Sequence, residues 1–89
     1  MAWKIEYTAT ALKQLKKFDK PVARRITDFM NERISGQGEP RRVGEALTGP
    51  AVGQYWRYRV GDYRIICDIQ DGALCVLVIA VGNRKGIYK

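Results

Sequence analysis

The sequence predicts an α+β fold in which two helices lie over one face of a largely antiparallel sheet, and three observations carry that reading. Apolar and polar residues alternate at the start, Trp3-Lys4-Ile5-Glu6-Tyr7; two stretches with helical apolar spacing follow; three strand-like runs joined by short turns come last. The expected order is an N-terminal strand, a two-helix hairpin and a three-stranded antiparallel meander, making a single two-layer domain over residues 1–89. Apolar residues are 46% and charged residues 28% of the chain, a balance that supports a packed core rather than a disordered one.

In the first strand Trp3, Ile5 and Tyr7 share one buried face, and Lys4 and Glu6 take the other. Thr8 or Thr10 caps the helix that follows. Its stripe is Ala11, Leu12, Leu15 and Phe18, with Lys13, Lys16 and Lys17 outward. Asp19-Lys20-Pro21 closes that helix and starts a second one, with Asp19 as N-cap and proline inside the first turn. There Val22, Ile26, Phe29, Met30 and Ile34 face inward, Arg24, Arg25, Asp28 and Glu32 face outward, and the helix ends near Ser35-Gly36. From 36 to 53 glycine, proline and charge dominate, so an irregular connector is expected, pinned to the core at Ala46-Leu47.

The Gly61-Asp62 dipeptide then suits a two-residue hairpin turn. Such a turn sets Arg59 directly opposite Arg64, with Arg57 two residues along on the same face, while Trp56, Tyr58, Val60, Tyr63 and Ile65 take the core side. Three guanidiniums on one patch are unfavourable for folding alone, since like charges facing across strands cost roughly 0.2–1 kcal/mol each. Arginine cannot shed its proton to escape. A polyanionic ligand accounts for the cluster; bridging of Arg64 to Asp62 or Asp68 is the structural alternative. The last strand, Ala73 to Val81, is apolar on both faces, as befits the sheet interior, and a polar tail runs from Gly82 to Lys89.

Sixteen Lys and Arg against nine Asp and Glu give a formal charge of +7, favouring nucleic acid or an acidic protein as partner. No apolar run approaches bilayer-spanning length and no signal-peptide core opens the chain, so a cytoplasmic protein without membrane association is expected. Histidine is absent and there are only two cysteines, which predicts no metal and no cofactor. A two-residue Asp71-Gly72 turn pairs Cys67 with Val76 and puts the two sulfurs on opposite faces; a longer loop shifted by one residue would bring them together.

Two tracts resemble a known family. Tyr55-x-Arg57-x-Arg59-Val60-Gly61-Asp62-Tyr63-Arg64 and the terminal Val81-Gly82-x-Arg84-Lys85-x-x-Tyr88, behind a Lys-rich helical hairpin, are similar to the RelE/ParE superfamily of toxins from type II toxin–antitoxin systems. The likeness spans nearly the whole chain. It implies a toxin neutralised by a cognate antitoxin, with operator DNA reached only through their complex. In the RelE-like branch it implies a metal-independent endoribonuclease that cuts messenger RNA in the ribosomal A site by 2′-hydroxyl attack. In the ParE-like branch it implies inhibition of DNA gyrase, and a third expectation is a non-catalytic antitoxin-binding co-repressor.

By that resemblance Arg57, Arg64, Arg84 and Tyr88 are the expected catalytic residues, and Arg59, Lys85, Lys13, Lys16 and Lys17 the expected RNA-binding ones. Forked, permanently charged groups suit the phosphorane, because preorganised donors at a developing charge are often the largest catalytic term. Tyr88 either takes a proton or stacks on a base. A phenol near pKa 10 is only about 0.1% ionised at neutral pH, so the first role needs neighbouring cations. Several relatives carry histidine immediately before the tail arginine and an acidic or polar residue two positions after it; Asn83 and Gly86 stand there in this chain.

Overall fold

Five strands and two helices account for most of the residues that the computed structural model describes, 3–37, 39–47 and 55–83. Strand β1 (Lys4–Tyr7) leads into helix α1 (Ala9–Lys17), where Thr8 is the N-cap and its hydroxyl accepts from the Ala11 amide. Helix α2 (Lys20–Phe29) starts with proline in its first turn, and Asp19 precedes it without a side-chain capping bond. The helix then widens into a π turn, Met30–Ile34, and tightens into a 3₁₀ turn, Ser35–Gln37. Ala11, Leu15, Ile26, Met30 and Ile34 are buried as expected, but Leu12, expected in the α1 stripe, is 46% exposed, since it lies about 100° round the helix from Ala11.

The sheet order is β1-β5-β4-β3-β2, with β2 at Glu45–Ala46, β3 at Trp56–Val60, β4 at Tyr63–Gln70 and β5 at Cys75–Asn83. The meander is present, and β1 joins it parallel to β5, placing β5 in the interior as its apolar run required. Tyr58, Ile65, Cys67, Val76, Val78 and Val81 meet the helices in one core. The connector is more ordered than composition suggested. It holds a 3₁₀ turn, Pro40–Arg42, and the two-residue strand β2, and Leu47 behind it is the expected buried pin.

One register departs from expectation. Gln70 lies opposite Cys75 across a four-residue loop, so Cys67 faces Val78 and not Val76, and the strands run to Gln70 and from Cys75. The positive φ of this loop belongs to Leu74 (48°), and Gly72 is not among the positive-φ glycines. Leu74 packs against the core, which offsets the strain of a left-handed leucine, and Arg41 holds Asp71 by two hydrogen bonds of 2.8 Å. The loop moves the pairing by two residues and preserves side-chain faces. Cys67 therefore sits in the core while the Cys75 thiol donates to Glu6 on the other side; both are free. Among the described residues no helix is long and apolar enough to cross a membrane.

Candidate functional site

The turn at Gly61-Asp62 connects β3 to β4 with two residues, and Gly61 supplies the positive φ of 59° that it needs. Arg59 pairs with Arg64, Tyr58 with Ile65 and Arg57 with Ile66. Strand alternation then sends Tyr58 into the core and puts Arg57, Arg59 and Arg64 together on the sheet face away from the helices. Tyr58 is fully buried, and its hydroxyl donates to the Pro40 carbonyl at 2.5 Å. The Trp56 indole donates to the Val43 carbonyl at 2.8 Å. These two bonds tie the irregular connector to β3 and so fix where β2 lies.

Glu45, on β2, is the residue that sequence reasoning missed. It lies directly opposite Arg57, and its carboxylate accepts from Arg57 and pairs with Arg59 at 3.0 Å. The hydrogen bond and charge of Arg57, with Arg59 and Arg64 adding to the field, hold the Glu45 carboxyl below the usual carboxylate range. Arg64 is only 7% exposed, and its long contacts of 3.4 and 3.3 Å to the Gly61 and Tyr63 carbonyls are its hydrogen bonds. It bridges neither Asp62 nor Asp68, so the structural alternative for this arginine does not hold. Two guanidiniums thus contact the Glu45 carboxylate, and Arg64 acts on it through its charge. A carboxylate already seated between two of them marks the geometry an oxyanion would find.

Opposite Arg64 on β5 stands Gly82, and opposite Ile66 stands Ala80, so the floor beside the arginines is low. A bulge in the β4–β5 ladder between Ile66 and Cys67 sets this register. The Thr8 hydroxyl donates to the Ile79 carbonyl at 2.9 Å, and the Gln14 side-chain oxygen accepts from the Val81 amide at 2.6 Å. The backbone groups displaced by the bulge are thereby satisfied from α1.

Lys13, Lys16 and Lys17 are exposed on α1, across the sheet from the arginines, so the two sets form separate basic surfaces. Arg25 approaches the hairpin tip, with its guanidinium 3.5 Å from where a Cβ on Gly61 would stand. Arg84, Lys85, Gly86 and Tyr88 lie outside the described residues. Of the tyrosines inside, burial pushes Tyr7 up to about 12 and raises Tyr58 further, which unsuits both for taking a proton at neutral pH. A cavity of about 430 Å³ opens beside the arginine patch, lined by Phe29, Val43, Gly44, Glu45, Tyr58 and Arg59.

Residues 5–88 match the family model described as ParE toxin of type II toxin–antitoxin system, parDE. Toxin RelG of Mycobacterium tuberculosis is 29% identical over 89 residues, covering 100% of this chain and 99% of that one. Toxin RelE of the same organism is 28% identical over 85 residues, covering 96% of this chain and 84% of the other. Among solved structures, the toxin–antitoxin complex RelBE2 of M. tuberculosis contains a chain similar to this one with TM-score 0.85 and 26% identity, over 94% of this chain and 93% of that one. An arginine double mutant of E. coli toxin RelE in the free state shares the fold with TM-score 0.78 at 22% identity, over 99% of this chain and 90% of the other.

Proposed function

The chain belongs to the ParE toxin family of type II toxin–antitoxin systems, and from that membership we propose that it works in the manner of the RelE-like toxins, as a ribosome-dependent endoribonuclease acting on messenger RNA. The observation that supports this reading is the convergence of Arg57, Arg59 and Arg64 on the sheet face away from the helices, with the Glu45 carboxylate against Arg57 and Arg59. A gyrase inhibitor of the ParE kind needs a protein-binding surface and has no use for clustered guanidiniums. Fold alone does not choose between the two activities, and the name of the matching family keeps the gyrase reading as the alternative.

In the proposed reaction the 2′-oxygen of the substrate attacks the adjacent phosphorus and the bond from phosphorus to the 5′-oxygen breaks. A proton leaves the 2′-hydroxyl and another reaches the departing 5′-oxygen. Arg57 and Arg59 take the non-bridging oxygens that the Glu45 carboxylate now mimics, and Arg64, held deep in the sheet, adds a fixed positive field beneath them. By the family resemblance, Arg84 and Tyr88 supply the remaining charge and either the proton transfer or the stacking platform, and Lys85 adds to RNA binding. Removing one preorganised donor of this kind lowers the rate by about 10²–10³-fold. The ribosome contributes alignment, and Lys13, Lys16 and Lys17 on the opposite surface are suited to ribosomal RNA.

The partner is a cognate antitoxin. Similar structures from M. tuberculosis and Pyrococcus horikoshii are toxin–antitoxin complexes, which supports that assignment. The test is to map messenger RNA ends in a purified translation system with and without ribosomes, beside a gyrase supercoiling assay. Cuts within translated codons that vanish in Arg64→Ala and Arg84→Ala, with antitoxin binding retained, are the expected result. Loss of supercoiling with intact messenger RNA would instead establish the gyrase reading.

A further inference from the structure

The cavity of about 430 Å³ shares two residues with the arginine patch. Phe29, Val43 and Tyr58 give it apolar walls, and Glu45 and Arg59 belong to both lining and patch. Its volume falls in the range of small-ligand pockets, about 300–1,000 Å³. The walls are fixed before any ligand arrives. Tyr58 is locked by its bond to the Pro40 carbonyl and packs edge-on against Phe29 with ring centroids 5.9 Å apart, while the Trp56 indole holds the Val43 carbonyl. Gly44 turns the chain between Val43 and Glu45 with a φ of 84°, and a Cβ there would lie 2.5 Å from the Arg57 carbonyl oxygen and 2.8 Å from the Tyr58 ring. Glycine is therefore needed to bring the lining residues on either side of it this close to β3.

Charge on the sheet face away from the helices changes sign along the strands. Asp68 follows Arg64 on that face of β4 and stands opposite Leu77, with Glu6 of β1 opposite Leu77 on its other side. Lys4 offsets one of these carboxylates, at 3.8 Å from Glu6. A phosphodiester chain held at the arginines is disfavoured at the acidic end and favoured toward β3, where Arg57 and Arg59 stand beside the cavity.

We propose that the cavity takes the base of the RNA nucleotide whose phosphate lies on Arg57 and Arg59, and that Glu45 selects bases carrying an amino group. The inference rests on the nuclease reading for its RNA substrate and adds to it a pocket that discriminates between bases. A phosphate and a π-faced base joined by one sugar match an anion site and an apolar pocket that have Arg59 in common. An aliphatic ligand would leave the guanidiniums without an anion, and inorganic phosphate would leave the cavity unused. When the phosphate takes the guanidiniums, the Glu45 carboxylate gives up its place on them and stays at the cavity wall as an acceptor. Cytosine, adenine and guanine each offer it an amino hydrogen, whereas uracil presents carbonyl oxygens on both sides of its only N–H. Uracil is therefore the base this pocket rejects.

Titration of the whole isotopically labelled chain, followed by its amide resonances, tests this with cytidine monophosphate, uridine monophosphate and ribose phosphate. The cytidine compound is expected to bind about tenfold tighter than ribose phosphate and about fivefold tighter than the uridine compound, and to shift Val43 and Gly44 as well as Arg57 and Arg59. Ribose phosphate should shift the arginines alone. Val43→Phe, which fills the cavity and is checked for folding by the same spectrum, should bring the cytidine compound down to the level of ribose phosphate. Glu45→Gln, whose amide can turn either its oxygen or its nitrogen to the base, should erase the preference over uridine. Equal binding of ribose phosphate and the cytidine compound, or a cytidine preference that survives Glu45→Gln, would overturn the proposal. A tetranucleotide of uridines with one cytidine should bind more tightly than the monophosphate; weaker binding would make a free nucleotide the occupant and overturn the RNA assignment. Cleavage of messenger RNA on ribosomes by a chain that shows no base-dependent binding sinks the pocket and spares the nuclease reading. Base-dependent binding without cleavage does the reverse.

Discussion

At the scale of single residues, Glu45 decides how much of the arginine charge is available. Its carboxylate contacts Arg57 and Arg59 and so occupies the position that the proposed reaction assigns to an oxyanion. Glu45→Gln removes the competing charge and keeps an acceptor, so the affinity for a short single-stranded RNA at neutral pH should rise about three- to fivefold, the scale of a half-exposed ion pair. Fluorescence anisotropy with the purified toxin measures it; unchanged affinity would show that the carboxylate is not displaced on binding. The pH dependence has a fixed sign. The folded-state pKa of Glu45 is lowered, so its ion pairs are complete above the ordinary value of 4.5 and are lost as the pH falls through the lowered one. The difference between wild type and Glu45→Gln should therefore close on acidification below that window and persist above it. The opposition of Arg59 and Arg64 was legible in the sequence because a glycine in a two-residue turn fixes register by itself. Glu45 was not. Its position depends on the bonds from Trp56 to Val43 and from Leu47 to Tyr55, which no periodicity encodes.

Among the elements, β5 shows how the helix layer reaches the functional face. Its bulge offsets the alternation between Cys67 and Ile66, and without it Gly82 would not face Arg64. Thr8 caps α1 and donates to Ile79 with one hydroxyl, while Gln14 accepts from the Val81 amide, so α1 clamps the bulge from both sides. Gln14→Ala leaves that amide without a partner and should destabilise the fold by about 1–2 kcal/mol. Gln14→Glu keeps an acceptor and should lose much less. Urea unfolding of both variants distinguishes a lost hydrogen bond from lost packing, since the midpoint should fall for alanine with the slope unchanged. Helices α1 and α2 were readable from their stripes because burial imposes the period of 3.6 directly. The bulge and the four-residue loop before β5 were not readable. Asp71-Gly72 has the composition of a tight turn, yet a partly buried Leu74 packed on the core and the Arg41–Asp71 pair favour the longer loop, and those contacts exist only after the chain has folded.

At the scale of the molecule, the cations include two sets on opposite sides of the sheet, the arginine patch and the lysine face of α1. Composition announces the excess but not the division, which follows from the sheet's having the helices on one side only. The division matters because a short oligonucleotide can touch one surface at a time, whereas a ribosome that holds substrate against the patch can also meet the helix face. Counterion release makes the two separable: for single strands, log K falls with log salt by about 0.7 for each phosphate neutralised. Arg57→Ala and Arg59→Ala should each reduce that slope by about 0.7 when a short RNA is titrated from low to moderate salt, and Lys16→Glu with Lys17→Glu should leave it unchanged. With ribosomes as ligand the order reverses, the lysine variants losing affinity and the arginine variants losing cleavage after they have bound. A chain that inhibited gyrase would show neither pattern, because its target presents protein rather than a phosphodiester to the sheet. Equal slopes across all three variants would mean that the guanidiniums are a structural cluster neutralised from within, and the nuclease reading would fall with them.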